Sequence, residues 1–389
     1  MSKRRSVGFF LVLALLLVAQ PVVADQDRYF GHPDTGMAAL GGVHAAYTSG
    51  SSVMRANPAG LGSTEPRVDL IGLQTRLTGP VFSIFGAALN TVNGGDLLTS
   101  IQPLLADLYA NIEFAGPIGF AYVGNGLGFG VYNNSYAEVV RTGTELAVYA
   151  GDSLQFYGGF SFPIFSAPDS GLSLQSGLLL KAFVNGESRL AVNALDVAAL
   201  NDTISSLPTG LLDEPFYLTS GFSFDIGFLF AWHDFLAVAI TGQDVYGPTL
   251  TNVYGSILDV SSGVAPVSDS SGLLPQNLSV GARVTPPLGV LGVVMDRLDI
   301  YIDYRDIIDF VVSPAAAVNP VLKLLVGAEI TMFEVLRVRG GFGQGLFSTG
   351  LGLDLGLLEL QGAMYGSELT GEPGLRPQYN LELALLVRL

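Results

Sequence analysis

The last eleven residues of the chain, Tyr379–Leu389, alternate between apolar and mostly polar positions. Tyrosine, leucine and valine occupy every second position, whereas Asn380, Glu382 and Arg388 lie among the residues between them. A repeat of two is typical of an extended strand with one apolar face, and a tilted strand needs about 9–11 residues to cross a bilayer. Because the same pattern recurs along the chain, the sequence predicts a membrane barrel rather than a soluble domain.

The composition agrees with a barrel whose apolar residues are distributed over many strands. Hydrophobic residues make up 49% of the chain and charged residues only 13%, and the mean hydropathy is +0.47. Beyond residue 24, no apolar run reaches the length of about 18 residues that a spanning helix requires. In a barrel, every second residue of each strand faces lipid, which accounts for both observations.

The first 24 residues have the three parts of a secretion signal. Basic residues at positions 3–5 precede an apolar run over 7–19, and small residues up to Ala24 provide a cleavage site. We therefore expect residues 1–24 to be a signal peptide. The sequence contains no cysteine, which excludes disulfides, thiolate metal ligands and a lipid-modified cysteine.

The composition also argues against several classes of function. A formal net charge of −16 makes nucleic acid an unfavourable partner, because the protein would repel phosphate groups. The three histidines are His32, His44 and His233, and none belongs to a predicted outer loop, where an external active site would need one. No histidine occurs at a metal-ligand spacing from carboxylates. The sequence therefore predicts neither an enzyme nor a protein with a metal ion or cofactor.

Segments with a period of two predict about fourteen strands between residues 66 and 389. They lie near residues 67–77, 112–123, 126–141, 144–163, 171–185, 216–231, 234–244, 276–286, 296–305, 321–332, 335–343, 346–355, 357–366 and 377–389. The connections on one side of such a barrel are short. Those on the other side are mostly long and comprise residues 78–111, 186–215, 245–275, 306–320 and 367–376. Short periplasmic turns and long outer loops predict an all-β, transmembrane antiparallel β-barrel in the bacterial outer membrane.

Two of the long outer loops carry apolar residues at helical spacing. The second series runs from Leu190 to Leu200. The first series is Leu97, Leu98, Ile101, Leu104 and Leu105. An amphipathic helix outside the membrane must cover its apolar stripe. It either packs over the barrel mouth or forms the wall of an apolar pocket there, in which case the first series captures the ligand.

A stretch rich in glycine and alanine, Thr35–Tyr47, follows the signal, and the sequence Asn-Pro-Ala-Gly-Leu at 57–61 stands just before the first strand. This arrangement resembles the N-terminal hatch of the FadL-type family of outer-membrane transporters for long-chain fatty acids and other hydrophobic compounds. PorV-like relatives share it. The resemblance implies a plug over residues 25–65 inside a barrel that spans residues 66–389. The movable gate of this plug would consist of Gly41, Gly42, Asn57, Pro58 and Ala59.

The residues themselves permit such a plug. Glycine and alanine let the backbone pack tightly inside a lumen, Pro58 fixes φ and removes a donor, and Asn57 can bond its own backbone to start a turn. The simpler interpretation of the same motif is a structural turn that leads into the first strand.

Charged residues occur on the strand faces that the apolar pattern assigns to the lumen. A charge near the midplane on the lipid side costs about 2–4 kcal/mol, so the lumen is where these residues belong. We expect acids and bases of neighbouring strands to pair and brace the wall; the alternative is a role in pore selectivity. The predicted lumen charges are Arg283, Glu329, Arg337, Arg339, Asp354 and Glu359.

The predicted function is uptake or passive transport of hydrophobic compounds such as long-chain fatty acids. Its partners would be outer-membrane lipids and a hydrophobic small molecule, with movement of the plug opening a path. Release sideways through the wall is implied by the resemblance, but no sequence signal locates it. Two alternatives remain: a PorV-like, non-conducting scaffold that binds proteins of a secretion or surface-assembly system, and a general porin for polar solutes.

Overall fold

The computed structural model describes residues 29–30, 34–81, 83, 108–196, 199, 202–203, 206–207, 209–312 and 317–389. Within these ranges the chain forms sixteen strands. They are β1 Arg67–Thr78, β2 Tyr109–Gly124, β3 Leu127–Thr142, β4 Glu145–Ala167, β5 Leu172–Asn193, β6 Phe216–Trp232, β7 Leu236–Tyr246, β8 Pro248–Tyr254, β9 Ser268–Leu273, β10 Asn277–Val284, β11 Arg297–Tyr304, β12 Leu324–Met332, β13 Leu336–Gly343, β14 Leu346–Asp354, β15 Leu358–Glu368 and β16 Pro377–Arg388.

The helices of the described chain are short. The α-helices are α1 Thr35–Ala39, α2 Val53–Ala56, α3 Ile257–Ser261 and α4 Asp309–Val312. Single 3-10 turns occupy Gly50–Ser52, Pro58–Gly62, Pro168–Ser170, Thr209–Leu212, Gly289–Val293 and Pro320–Lys323. No helix among the described residues combines the length and the apolar character that crossing a membrane requires.

Fourteen strands close into one antiparallel barrel, as the sequence predicts. Strands β1 to β7 are consecutive neighbours, β7 pairs with β10, and β10 to β16 are again consecutive. The barrel closes where β16 pairs with β1, with Leu73 opposite Leu385. The remaining two strands, β8 and β9, form a hairpin that continues β7 and β10 beyond the wall, and β8 pairs with the outer part of β6.

Two loop predictions were wrong in part. Residues 245–275 were expected to be one long outer loop between strands, but they carry β8, α3 and β9, because β8 finds a ladder partner in β6. The second helical series was expected to begin at Leu190, but Leu190 lies in β5 and is paired with Val148 of β4. The apolar spacing after residue 186 would also suit a helix, but hydrogen bonding to β4 keeps these residues in the strand. The first loop series, Leu97–Leu105, lies outside the described residues.

The outer face of the barrel carries the apolar half of the alternating pattern. Exposed side chains on this face include Ile112 and Phe114 of β2, Phe156 and Phe160 of β4, and Leu383 of β16. A continuous band of exposed apolar residues on strands is stable only where lipid covers it, so this band marks the membrane-facing surface. The protein is a β-barrel of the outer membrane.

The buried apolar core lies between the inner wall and the N-terminal segment, defined here as residues 34–66. One cluster joins Met37, Leu40 and Tyr47 of the segment to Tyr301 and Leu325 of the wall. A second cluster joins Val53, Met54 and Leu61 to residues of β2, β4 and β5. The lumen is therefore packed like a protein interior along this segment rather than open.

Candidate functional site

The N-terminal segment crosses the interior of the barrel. Helix α1 contacts β13, β14, β15 and β16, whereas the Pro58–Gly62 turn contacts β2 to β6. Because these two groups of strands lie on opposite sides of the closed sheet, the segment lies inside the lumen.

Polar contacts fix the first half of the segment to the wall. The Thr35 hydroxyl donates to Glu382 Oε1 at 2.6 Å, and the Ser348 hydroxyl donates to the carbonyl of Ala39 at 3.0 Å. The backbone amides of His44 and Ala45 both donate to Asp303 Oδ2, at 2.6 and 2.7 Å. Each of these bonds is charge-assisted or buried, so together they favour one docked position.

The predicted gate residues Gly41 and Gly42 form a tight backbone turn against β13. Their φ angles are +79° and +88°, a region in which residues with a side chain are strained. A Cβ on Gly41 would lie 2.6 Å from the carbonyl oxygen of Phe342. On the wall, a Cβ on Gly341 would lie 2.3 Å from the carbonyl carbon of Leu40. Backbone thus packs directly on backbone here.

The other predicted gate residues, Asn57, Pro58 and Ala59, are buried against β5 and β6. The Asn57 amide nitrogen donates to the carbonyl of Ala45 at 2.8 Å, and its oxygen accepts from the Ala59 amide at 3.0 Å. Two wall glycines make room for this turn. A Cβ on Gly177 would lie 2.2 Å from the carbonyl carbon of Pro58, and one on Gly227 would lie 1.8 Å from the Asn57 oxygen.

Most of the predicted lumen charges lie together near the periplasmic end of the wall. Arg337 contacts Asp354 at 3.2 Å and Glu359 at 3.0 Å. Arg339 contacts Glu329 at 2.5 Å and is almost fully buried. These contacts join β12, β13, β14 and β15 across their inner faces.

Arg283 lies apart from the other predicted lumen charges and contacts the N-terminal segment instead. Its Nη1 donates to the Thr48 hydroxyl at 3.1 Å, and its Nε lies 4.0 Å from Asp299. Arg283 thereby links β10 to the segment.

A buried charge cluster at a bend in the wall was missed by sequence reasoning. Lys181 Nζ lies 2.9 Å from Asp225 and 2.8 Å from Asp244, and the Ser223 hydroxyl also donates to Asp244. Asp244 has a φ of +51° and lies where β7 bends into β8. The available signal was a lysine in the middle of a strand, directly after the apolar run Leu178–Leu180.

A cavity of about 650 Å³ lies above the N-terminal segment. It extends from Met37 and Gly42 of the segment to Tyr109 and Leu346 at the outer ends of strands. Its lining combines aromatic rings with charged and amide groups, which include Phe30, Tyr136, Tyr157, Arg55, Arg76, Glu113, Lys181, Asn134 and Tyr365. The cavity is therefore neither a dry apolar pocket nor a continuous channel, since the segment closes it below.

Arg55 differs from the other cations of this cavity because, among the described residues, no carboxylate is in ion-pair contact with it; Asp34 and Glu382 act on it only at longer range. Its guanidinium lies 4.4 Å from the centroid of the Tyr132 ring and 6.0 Å from that of Tyr157. In contrast, Arg76 contacts Glu113, and Arg305 lies 3.8 Å from Asp306. The guanidinium of Arg55 therefore offers its donors to the cavity, within an aromatic setting.

The wall beside Arg55 is interrupted in β2. Residues 116–118 form a bulge opposite the single residue Asn133 of β3, and residues 70–73 of β1 have no ladder partner in β2. Gly116 has a φ of +108°, and Pro117 has no amide donor. A second cavity of about 20 Å³ lies in the lumen next to this bulge and is lined by Arg55, Ala115 and Asn133 among others.

The described part of the chain contains no group of three or more histidine, cysteine, aspartate or glutamate side chains that is placed to hold a metal ion. Its clustered carboxylates are instead paired with arginine or lysine, as in the contacts of Arg337 and Lys181. The interior is thus arranged for packing and ion pairing.

These features define an outer-membrane barrel of fourteen strands whose lumen is occupied by its own N-terminal segment. No family model matches the sequence, and no curated protein matches it. Among solved structures, the toluene transporter TbuX of Ralstonia pickettii aligns with a TM-score of 0.50 and 12% identity, over 94% of this chain and 99% of that chain. This similarity shows that the chain has the same fold as TbuX.

Two further solved structures align over similar lengths. The toluene transporter TodX of Pseudomonas putida has a TM-score of 0.46 and 12% identity, over 93% of this chain and 98% of that chain. A FadL homologue of Pseudomonas aeruginosa has a TM-score of 0.45 and 11% identity, over 91% and 98%. The fold assignment is based on TbuX alone.

Proposed function

We propose that the protein takes up amphipathic hydrophobic compounds with an anionic group, such as long-chain fatty acids, across the outer membrane. The observation that carries this proposal is the Arg55 guanidinium, which faces the cavity with no carboxylate partner among the described residues. A guanidinium that faces a cavity with no carboxylate in contact favours an anion from outside.

The cavity suits both parts of such a molecule. A carboxylate on Arg55 would gain a charge-assisted hydrogen bond, which contributes about 1.5–3 kcal/mol. The apolar part would lie against aromatic rings such as Tyr136, Tyr157 and Phe30, with about 0.8 kcal/mol gained for each buried methylene. TbuX is described as a toluene transporter. A neutral hydrocarbon of that kind has no carboxylate for Arg55, so it would gain only from the burial of its apolar surface.

The path has three proposed steps. Loop residues Leu97, Leu98, Ile101, Leu104 and Leu105, which lie outside the described residues, remain the predicted site of capture. The ligand then enters the cavity and contacts Arg55. Exit requires either movement of the N-terminal segment at its gate residues or passage through the bulge of β2, and the small cavity beside Arg55 supports the second route. No step involves catalysis.

Binding of a fluorescent long-chain fatty acid to purified protein in detergent tests the proposal. We expect Arg55→Gln to weaken binding about 10- to 150-fold, which corresponds to the loss of one charge-assisted bond, and Arg55→Lys to retain much of the affinity. Arg305→Gln is the matched control, because Arg305 lines the same cavity but has Asp306 as a partner. Toluene should compete equally in all variants.

Equal affinity of wild type and Arg55→Gln for the fatty acid would refute the role of Arg55. If the wild-type protein binds neither fatty acid nor toluene and co-purifies with other proteins, the PorV-like scaffold is the better description. Steady ion conductance of the wild type without any ligand binding would favour the general porin.

A further inference from the structure

The turn between β10 and β11 exposes an unusual amount of apolar surface. Residues 288–295 read Leu-Gly-Val-Leu-Gly-Val-Val-Met and contain the 3-10 turn Gly289–Val293. Val290 is 89% exposed and Val293 is 84% exposed, the two highest values among the large apolar side chains of the described chain. Each valine in water forgoes about 1.5 kcal/mol or more that burial would provide. This surface therefore has a favourable partner outside the chain.

The turn belongs to a ring of apolar residues at one end of the barrel. In a closed antiparallel barrel, the β6–β7, β10–β11, β12–β13 and β14–β15 turns all lie at the same end. The neighbouring turns expose Trp232, Phe235, Phe333 and Leu357. This ring continues the lipid-facing band of the strands down to the periplasmic rim, where aromatic residues commonly mark the membrane interface.

The lack of charged residues in the turn favours lipid over water as its surroundings. No charged residue occurs from Thr285 to Met295, although one side of the turn is followed directly by Asp296 and Arg297. Arg297 contacts Asp299 at 2.6 Å and lies 3.8 Å from Asp234. Arg297 shares the lumen face of β11 with Asp299, so its charge is directed away from the lipid side of the turn.

We propose that residues 288–295 insert into the periplasmic leaflet of the outer membrane as an interfacial anchor beside the barrel wall. The occupant of the exposed surface is phospholipid acyl chain, and the argument is the continuity of the turn with the established lipid-facing band. The anchor is independent of any cargo, so its test is separate from that of the proposed function.

The chain has a single tryptophan, Trp232, which permits a site-specific test. In a Trp232→Phe background, Val293→Trp is reconstituted into phospholipid bilayers with brominated acyl chains. The matched control is Val267→Trp in the same background, because Val267 is 77% exposed but lies in the outer β8–β9 hairpin. Folding of both variants is checked by their migration in unheated detergent gels.

We expect the indole fluorescence of the Val293→Trp variant to be blue-shifted, quenched several-fold more by bromolipid than that of the control, and protected from aqueous iodide. Should Val293→Trp fail to fold, Leu291→Trp gives the same readout from the same turn. Iodide quenching equal to that of the control, with no bromolipid quenching, would overturn the proposal. That outcome would place the turn in water, where its partner would have to be a periplasmic protein.

Discussion

Replacing Gly341 with alanine tests whether the N-terminal segment acts as a stopper that shape complementarity holds in place. A Cβ at this position would lie 2.3 Å from the carbonyl carbon of Leu40 and 2.6 Å from the amide nitrogen of Gly41. Both are backbone atoms, so no side-chain rotation relieves the clash. Gly340, the preceding residue of β13, is the matched control, because a Cβ there would meet nothing within 4 Å.

The size of the effect follows from the distance. Ordinary van der Waals contact begins near 3.4 Å, so Leu40 and the wall must separate by about 1 Å. Strand β13 is paired on both sides, with Gly341 opposite Gly327 and Ser348, so the segment moves more readily than the strand. Overpacking of this kind costs about 1–3 kcal/mol. If the cost falls on the docked state, the undocked population rises about 5- to 150-fold.

Two measurements report undocking. In planar bilayers, Gly341→Ala should open more often than wild type, whereas Gly340→Ala should not. Trypsin provides the second readout, because Arg55 is the only lysine or arginine between residues 34 and 66 and its peptide bond becomes accessible when the segment leaves the wall. The reasoning is refuted if folded Gly341→Ala and Gly340→Ala behave alike in both assays.

Two further predictions concern buried charges in the wall. Arg339→Met leaves Glu329 without its cation and should lower the free energy of unfolding by about 3–5 kcal/mol. Arg189→Met removes an exposed ion pair and should change the free energy of unfolding by less than about 1 kcal/mol. Urea titration of the refolded proteins compares the two variants, and equal losses would contradict the prediction. Lys181→Met should be similarly destabilising because two carboxylates at the bend lose their cation, and adding Asp225→Asn should recover part of the loss in the same titration.

The strands that cross the membrane were predictable because lipid and lumen impose opposite demands on alternate residues. In β11 and β16 this alternation is almost complete, and the predicted bounds agree with the structure within a few residues. Strands β8 and β9 were not predictable on this basis. They extend beyond the wall, and β9 consists of Ser268–Leu273, mostly small and polar residues that lack an apolar face. Their pairing depends on the neighbouring strands rather than on their own sequence.

The interior was only partly predictable for a related reason. The composition of Thr35–Tyr47 and the Asn-Pro-Ala motif identify a compact segment, but the wall glycines that receive it are distant in sequence. Gly177, Gly227 and Gly341 resemble any other wall glycine until their strand is placed opposite the segment. The same holds for Lys181, whose two carboxylate partners come from different strands. Long-range placement decides these contacts, and local patterns do not encode it.

Arg55 lies on the N-terminal segment itself, between the two groups of predicted gate residues, and this position links cargo to opening. A ligand that binds Arg55 equally well in docked and undocked states leaves the gate unchanged, however tightly it binds. A ligand that pulls Arg55 away from the Tyr132 ring favours the undocked state. Coupling between two equilibria is reciprocal, so loosening the segment must then tighten that ligand by the same factor. Gly341→Ala acts on the segment at Leu40 and Gly41, its nearest neighbours, rather than at Arg55. If cargo opens the gate, this variant should bind cargo more tightly than wild type; if the gate opens without cargo, its cargo affinity should be unchanged.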